Sequence, residues 1–235
     1  MHKGSMIKHG LDQVECETEG LFMIIAGTES TASAIRSALV HAMTSPLVYQ
    51  KLKDEIHTAV REGKVSSPIT FQEAKALPSS LLLVFTRFSA LRMLTYLQAV
   101  IYESIRMRPP LIGYFPKVVP PGGETLLGYH LPAGTSIGTN MSAILSSTDI
   151  FGPDAELDED SCKRMKRDVE LAFGSGQWMC MGKTIAFMEI NKSVFEIFRA
   201  FDIQLVEPFA PSTIATYGTF LESQMMAKVS KSDVS

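Results

Sequence analysis

Residues 173–182 read FGSGQWMCMG and run directly into KTIAFMEINKSVFEIF at 183–198, a strongly amphipathic segment. The first piece carries glycines at 174, 176 and 182 and a single cysteine, Cys180, on what reads as a loop turning into a helix. A loop of that kind can present a thiolate to a metal while its backbone N–H groups face the sulfur. The competing reading is a buried free cysteine, the ordinary fate of a lone Cys.

Working outward, the 235-residue chain is long enough for one large domain or two small ones and can bury about 70% of its unfolded surface. Hydrophobic residues make up 46% and charged residues 20%, as in an ordinary globular protein. A net charge of −3 without a basic run gives no reason to invoke nucleic acid. Cys16, Cys162 and Cys180 lie far apart and form no CxxC pair, which fits a reducing compartment better than a disulfide framework. The five histidines show no metal-ligand spacing, which argues against a zinc site. Met1–Gly10 lacks the apolar core of a secretory signal, and the longest apolar runs, 21–26 and 81–85, are far too short for a membrane span. No membrane span is expected, so the chain by itself reads as soluble or peripheral.

In chain order, 1–19 reads as a polar, ragged start. From Gly20 to about Val40, Leu21, Ile24, Ile25, Ala32, Ile35 and Leu39 recur at helical steps and predict a buried helix. Inside it, AGTEST at 26–31 is small and polar, able to weaken the helix and open its hydrogen-bond ladder. The plainer reading is a helix touching a close neighbour through small residues. Ser45-Pro46 starts a second helix with Leu47, Leu52, Ile56 and Val60 as its apolar stripe. Thr70-Phe71-Gln72-Glu73 opens a short helix that Pro78 stops. Tyr96–Met107 is helical, ended by Pro109-Pro110. From 111 to 140, turn signals alternate with β-prone pieces and predict a small antiparallel sheet. A short helix is expected at 141–147 and a polar loop over 149–168. Lys183–Phe201 is predicted helical with Ile185, Met188, Val194, Ile197 and Phe198 inside. Asp202–Val206 is β-prone, and the last ten residues, 226–235, read as a polar tail.

The spacing Phe173-x-x-Gly176-x-x-x-Cys180-x-Gly182 resembles the heme-binding signature of the cytochrome P-450 monooxygenases. From this composition, four fixed residues at that spacing arise by chance on the order of 10^-3 times. Three further stretches resemble that family in the right order. AGTEST resembles its oxygen-activating motif, with Glu29 on the acidic position and Ser30, followed by Thr31, where a threonine is usual. The resemblance implies a hydroxyl that hydrogen-bonds iron-bound dioxygen and a carboxylate that relays protons. Glu103-x-x-Arg106 resembles the ExxR motif, a structural pair one helical turn apart. Glu196-x-x-Arg199 has the same spacing and reads as a surface pair. Lys117 in FPKVVPPGG falls where a basic residue often reaches a heme propionate; a solvated lysine on an edge strand is the alternative.

The resemblance spans roughly 20–206, and its wording is similar to the fungal, pisatin-demethylase-like branch. It implies a mainly α fold with a small antiparallel β region, the truncated C-terminal portion of the cytochrome P-450 fold. The organisation expected is a partial P-450 domain over 20–225, flanked by the polar segments 1–19 and 226–235. It also implies heme b with Cys180 as the iron's thiolate ligand, which favours O–O cleavage. Phe173, Gly176 and Gly182 would pack against the macrocycle, with Trp178 standing where Arg or His usually meets a propionate. The implied activity is oxygen insertion into an apolar small-molecule substrate, in fungal secondary metabolism. Electrons would come from NADPH through NADPH-cytochrome P-450 reductase, at a cytoplasmic location or peripheral to the endoplasmic reticulum.

Departures from the family pattern are equally visible. The family's amino-terminal half, with its membrane anchor, has no counterpart. Ser79–Thr95 interrupts a short joint, since Leu77-Pro78 run on into Tyr96-Leu97 would read naturally; it is expected to be an insertion, a translated intron. The aromatic-x-Pro-Glu-Arg segment expected after Leu157 is missing, leaving Glu103 and Arg106 without their usual third member. The alternatives are therefore an inactive heme-binding remnant, or a helical protein that binds no heme.

Overall fold

The computed structural model describes residues 3–76, 96–113, 115–152, 159–216 and 220–233. The insertion expected at 79–95 lies outside the described residues, as do 153–158.

The molecule is organised around one long helix. After a short α1 (Lys3–Lys8), α2 runs unbroken from Gln13 to Thr44. Its start is fixed by a reciprocal capping box: Asp12 Oδ1 accepts from the Glu15 amide and Glu15 Oε2 from the Asp12 amide, both at 2.8 Å. The ragged start expected over 1–19 is thus corrected. Lys3–Lys8 form α1 and the polar residues from Gln13 on form the first turns of α2, because a capped, exposed helix needs no apolar stripe.

Ser45 ends α2 and Pro46 opens α3 (Pro46–Arg61), where a missing N–H costs nothing. A second capping box, Thr70 with Glu73, starts α4 (Phe71–Lys75). The helix α5 (Tyr96–Met107) has its N-terminus capped from a distance, because the Glu55 carboxylate of α3 accepts from the Tyr96 and Leu97 amides at 2.8 Å each. The region 111–140 holds two small antiparallel pairs, β1 (Lys117–Val118) with β4 (Ser136–Ile137), and β2 (Glu124–Leu126) with β3 (Tyr129–Leu131). Two short helices, α6 (Met141–Leu145) and α7 (Thr148–Phe151), follow.

The polar loop expected over 149–168 is corrected next: besides α7, Glu159–Glu170 forms α8. A helix so rich in charge leaves little apolar signal; Val169 is buried on it. Beyond the cysteine loop come α9 (Lys183–Ala200) and β5 (Phe201–Leu205). The hairpin β6 (Thr213–Thr216) with β7 (Phe220–Ser223) follows, and then β8 (Ala227–Lys231), which pairs antiparallel with β5. The tail expected at 226–235 therefore contains an ordered strand.

The core lies where α2, α3, α5 and α9 meet, around fully buried Leu52, Ile56, Leu97, Ile101, Ile190, Phe195 and Phe198. Each such side chain contributes roughly 1.5–3 kcal/mol of transfer free energy. On α9 the buried face is Phe187, Ile190, Asn191, Val194, Phe195 and Phe198, while Ile185 and Met188 are exposed, so the expected stripe is rotated. On α3, Leu52 and Ile56 are buried as expected and Leu47 is exposed.

Two buried charges lock the core to its periphery. Lys53 of α3 donates to the carbonyls of Phe198 (2.7 Å) and Phe201 (3.0 Å), both at the end of α9, and to Ser232 Oγ (3.3 Å). Its Nζ also pairs with Asp202 at 2.6 Å. Burial pushes the Glu55 carboxyl up to about 7, against the two amides that favour its ionised form.

The first half of α2 stands apart from this core. Leu21, Ile24 and Ile25 are 59–67% exposed, although their spacing predicts burial, and Phe22 beside them is exposed too. Periodicity identified the helix but not what covers it.

Candidate functional site

The cysteine loop is built by two tight turns. Leu171–Phe173 and Gly176–Trp178 are 3₁₀ turns, joined through Gly174 and Ser175. Gly174 has φ +76°, and a Cβ there would meet the Trp178 carbonyl oxygen at 2.5 Å, so the chain can pass only without a side chain. The Cys180 amide then donates to the Phe173 carbonyl at 2.7 Å, and α9 starts immediately beyond, with Lys183 N–H to Cys180 O at 3.3 Å. The Phe173 ring packs on Phe187 with centroids 5.1 Å apart, anchoring the loop to the core. Cys180 is exposed, which removes the buried-cysteine alternative.

Around it, Trp178, Met179, Met181 and Ile185 are also exposed. Gly176 has φ +60°, and a Cβ at Gly182 would lie 3.8 Å from the Cys180 sulfur, an ordinary contact. Lys117 sits exposed on the two-residue strand β1.

On α2, Ala26, Gly27 and Thr28 are exposed, and no atom lies within 4 Å of where a Gly27 Cβ would stand. The helix does not open there. Thr28 Oγ1 donates to Ile24 O at 2.7 Å and Ser30 Oγ to Ala26 O at 2.6 Å, hydroxyls bonding back onto intact turns. Thr31 is buried. The close contact through small residues falls further along, where Ser33, Ala34, Ser37 and Ala38 are buried and Ser37 Oγ donates to Ser104 O of α5 at 3.2 Å.

Glu29 is held by a partner that sequence reading missed. Arg36, two turns on, meets it at 2.7 Å and lies 3.5 Å from the buried Glu222 of β7, which Arg108 also pairs. The seven-residue spacing of Glu29 and Arg36 was the available signal; nothing in the sequence announced Glu222.

Glu103 and Arg106 form the expected pair on α5, bidentate at 2.7 and 2.8 Å. Arg106 also donates to Leu145 O at 2.8 Å and lies 5.3 Å from the Phe151 ring centroid, joining α5 to α6 and α7. The hydrogen bonds it donates to Glu103 hold the guanidinium pKa above its ordinary value. The Glu196–Arg199 pair at 2.9 Å is more than a surface contact. Glu196 accepts from the Ile69 amide at 2.6 Å and Arg199 reaches Ser66 O and Ser67 Oγ, fastening the loop before α4.

A thiolate-ligated macrocycle needs an accessible sulfur, apolar surroundings, and backbone stripped of side chains at the closest approach. The exposed Cys180, the apolar residues around it and Gly182 beside the sulfur meet those needs, so the residues present fit the group. Among the described residues no cluster of three or more His, Cys, Asp or Glu could hold a metal ion. No described helix is long and apolar enough to cross a membrane.

The family model for cytochrome P-450 matches residues 2–224, and the chain belongs to that family. Its relatives include cytochrome P-450 monooxygenase aba1 of Botryotinia fuckeliana, 59% identical over 98% of this chain and 44% of that protein. Cytochrome P-450 monooxygenase abl1 of Leptosphaeria maculans is 52% identical over 91% of this chain and 37% of its own length. Pisatin demethylase of Fusarium vanettenii is 31% identical over 77% and 32%, so the likeness to that branch holds at lower identity. The chain spans less than half the length of each of these relatives.

Proposed function

We propose that this chain carries the heme-thiolate part of a fungal monooxygenase, with Cys180 as the iron ligand. One observation carries the reading: Cys180 is exposed on a loop whose shape is fixed by Gly174 and by the Cys180–Phe173 backbone hydrogen bond. Heme b, when bound, supplies dioxygen activation and insertion of one oxygen atom into an apolar small molecule of secondary metabolism, with electrons from NADPH through NADPH-cytochrome P-450 reductase.

The chain's own residues have distinct parts in that reading. Cys180 would hold the iron through sulfur, with Phe173, Gly176 and Gly182 packing against the macrocycle. Lys117 offers a charge, and Trp178 an N–H, to its propionates. Ser30 and Thr31 would offer hydroxyls, and Glu29 a carboxylate, for proton transfer once released from their present partners. Glu103 and Arg106 keep α5 and the segment at Leu145 in place.

The test is reconstitution of the chain with hemin, followed by reduction and carbon monoxide. A red-shifted Soret band of the thiolate type is expected, and Cys180→Ser is expected to abolish it. A shift that survives the substitution would remove Cys180 as the ligand.

A second reading, heme binding without oxygenation, has its own support. Glu29 is tied to Arg36, and the Ser30 hydroxyl is donated to Ala26 O, so neither group is free for proton transfer in this arrangement. Substrate oxidation with added reductase separates the two readings.

A further inference from the structure

Away from Cys180, a concave site lies between α4, α5, α8 and α9, with a cavity volume of about 210 Å³. Three ammoniums, those of Lys75, Lys166 and Lys183, line it against one carboxylate, Glu170. Lys183 is committed to Glu170 at 2.7 Å, and Tyr102 Oη also donates to that carboxylate at 2.5 Å. Burial pushes the Glu170 pKa up, but the hydrogen bonds from Lys183 and Tyr102 prevail and hold it below its ordinary value.

The other two lysines are differently placed. Lys75 Nζ stands 4.9 Å from the Phe71 ring centroid and Lys166 Nζ 5.0 Å from that of Tyr102. Among the described residues, neither lies within ion-pair distance of a carboxylate, although the Lys166 charge acts on Glu170 through space. An aromatic face steadies an ammonium yet engages only part of its three-donor capacity. The floor is polar as well: buried Gln98 and Asn191 are hydrogen-bonded to each other. An apolar ligand would gain little on such a floor, whereas a doubly charged anion would receive both lysines at once.

We propose that this cleft is a binding site for a compact dianion, a phosphate group free or carried on a small ester. Its anchors are Lys75 and Lys166 on opposing helices, α4 and α8, with Lys183 completing the positive rim. The site does not depend on Cys180 or on bound heme.

The test is calorimetric titration of the chain with inorganic phosphate and, separately, with glycerol phosphate, with formate as monoanion control. Saturable binding of phosphate or the ester at millimolar concentration, without matching binding of formate, is expected. Lys75→Gln and Lys166→Gln are each expected to weaken it about tenfold, and the double variant to abolish it. Tighter binding of the ester than of phosphate assigns the organic body a contact, and equal binding assigns the phosphate group alone; both support the site. Absence of saturable binding, equal binding of formate, or an unchanged double variant overturns it. If the double variant does not fold, lysine acylation of the unaltered chain decides. Phosphate is expected to protect Lys75 and Lys166 against Lys8 and Lys228, and equal reactivity with and without phosphate overturns the proposal.

Discussion

The Cys180 amide donates to the Phe173 carbonyl at 2.7 Å, so the first residue of the cysteine signature and its sulfur-bearing residue are joined through backbone. That bond closes over Gly174, whose φ of +76° and missing Cβ let the Trp178 carbonyl pass at close range.

Gly174→Ala is therefore expected to destabilise the chain by about 2–3 kcal/mol, through backbone strain and a direct clash. Gly176→Ala, at φ +60° in open space, is expected to cost only about 1 kcal/mol. Urea midpoints of the two variants check the order, and equal losses would show that the loop relaxes around a side chain at 174.

Glu55 makes stability depend on pH in an unusual direction. Its carboxyl is raised to about 7 in the folded chain, above the unfolded value near 4.5, so the folded state binds more protons in that interval. Stability is expected to fall as pH rises from about 4.5 through 7, by up to about 3 kcal/mol. Glu55→Gln keeps an acceptor for the α5 amides and is expected to flatten the profile. A profile unchanged by the substitution would assign the dependence to another group.

Lys53 and its ionic partner are expected to differ sharply. Lys53→Met leaves two carbonyls at the end of α9 without their donor and is expected to cost about 2–4 kcal/mol. Asp202→Asn touches a half-exposed partner and is expected to cost under about 1 kcal/mol. Denaturant unfolding of both variants reads the difference.

Glu222 sits between Arg36 and Arg108 with a buried side chain. Glu222→Gln removes the buried charge that both arginines approach, at an expected cost of about 3–5 kcal/mol. Glu29→Gln, at the exposed end of the same chain of charges, is expected to cost under about 1 kcal/mol.

Most helices were legible because their apolar residues recur at helical steps: α3, α5 and α9 are all visible that way. The Thr70–Glu73 capping box was readable from four residues. The equivalent box at Asp12 and Glu15 was equally plain in the letters, yet the polar run around it suppressed the reading. Charge-rich α8 carried too few apolar positions to register. At the site, Cys180, Glu103 and Arg106 were visible as local motifs. Gly174 was not distinguished from its neighbouring glycines, because its necessity arises from a carbonyl four residues away. Glu222 escaped because only folding brings β7 to Arg36 and Arg108. The exposure of Leu21, Ile24 and Ile25 marks the same limit, since periodicity reports a helical face and says nothing about its cover.

Lys53 imposes an order of events during synthesis. Its bonds to Phe198, Phe201 and Ser232 span 145, 148 and 179 residues of sequence. While a ribosome still holds the strand that ends before Ser232, a nascent chain can assemble α2 and α3 but cannot complete the polar shell around that ammonium. Until then the Lys53 ammonium can hold the two carbonyls at the end of α9 but lacks the last of its acceptors.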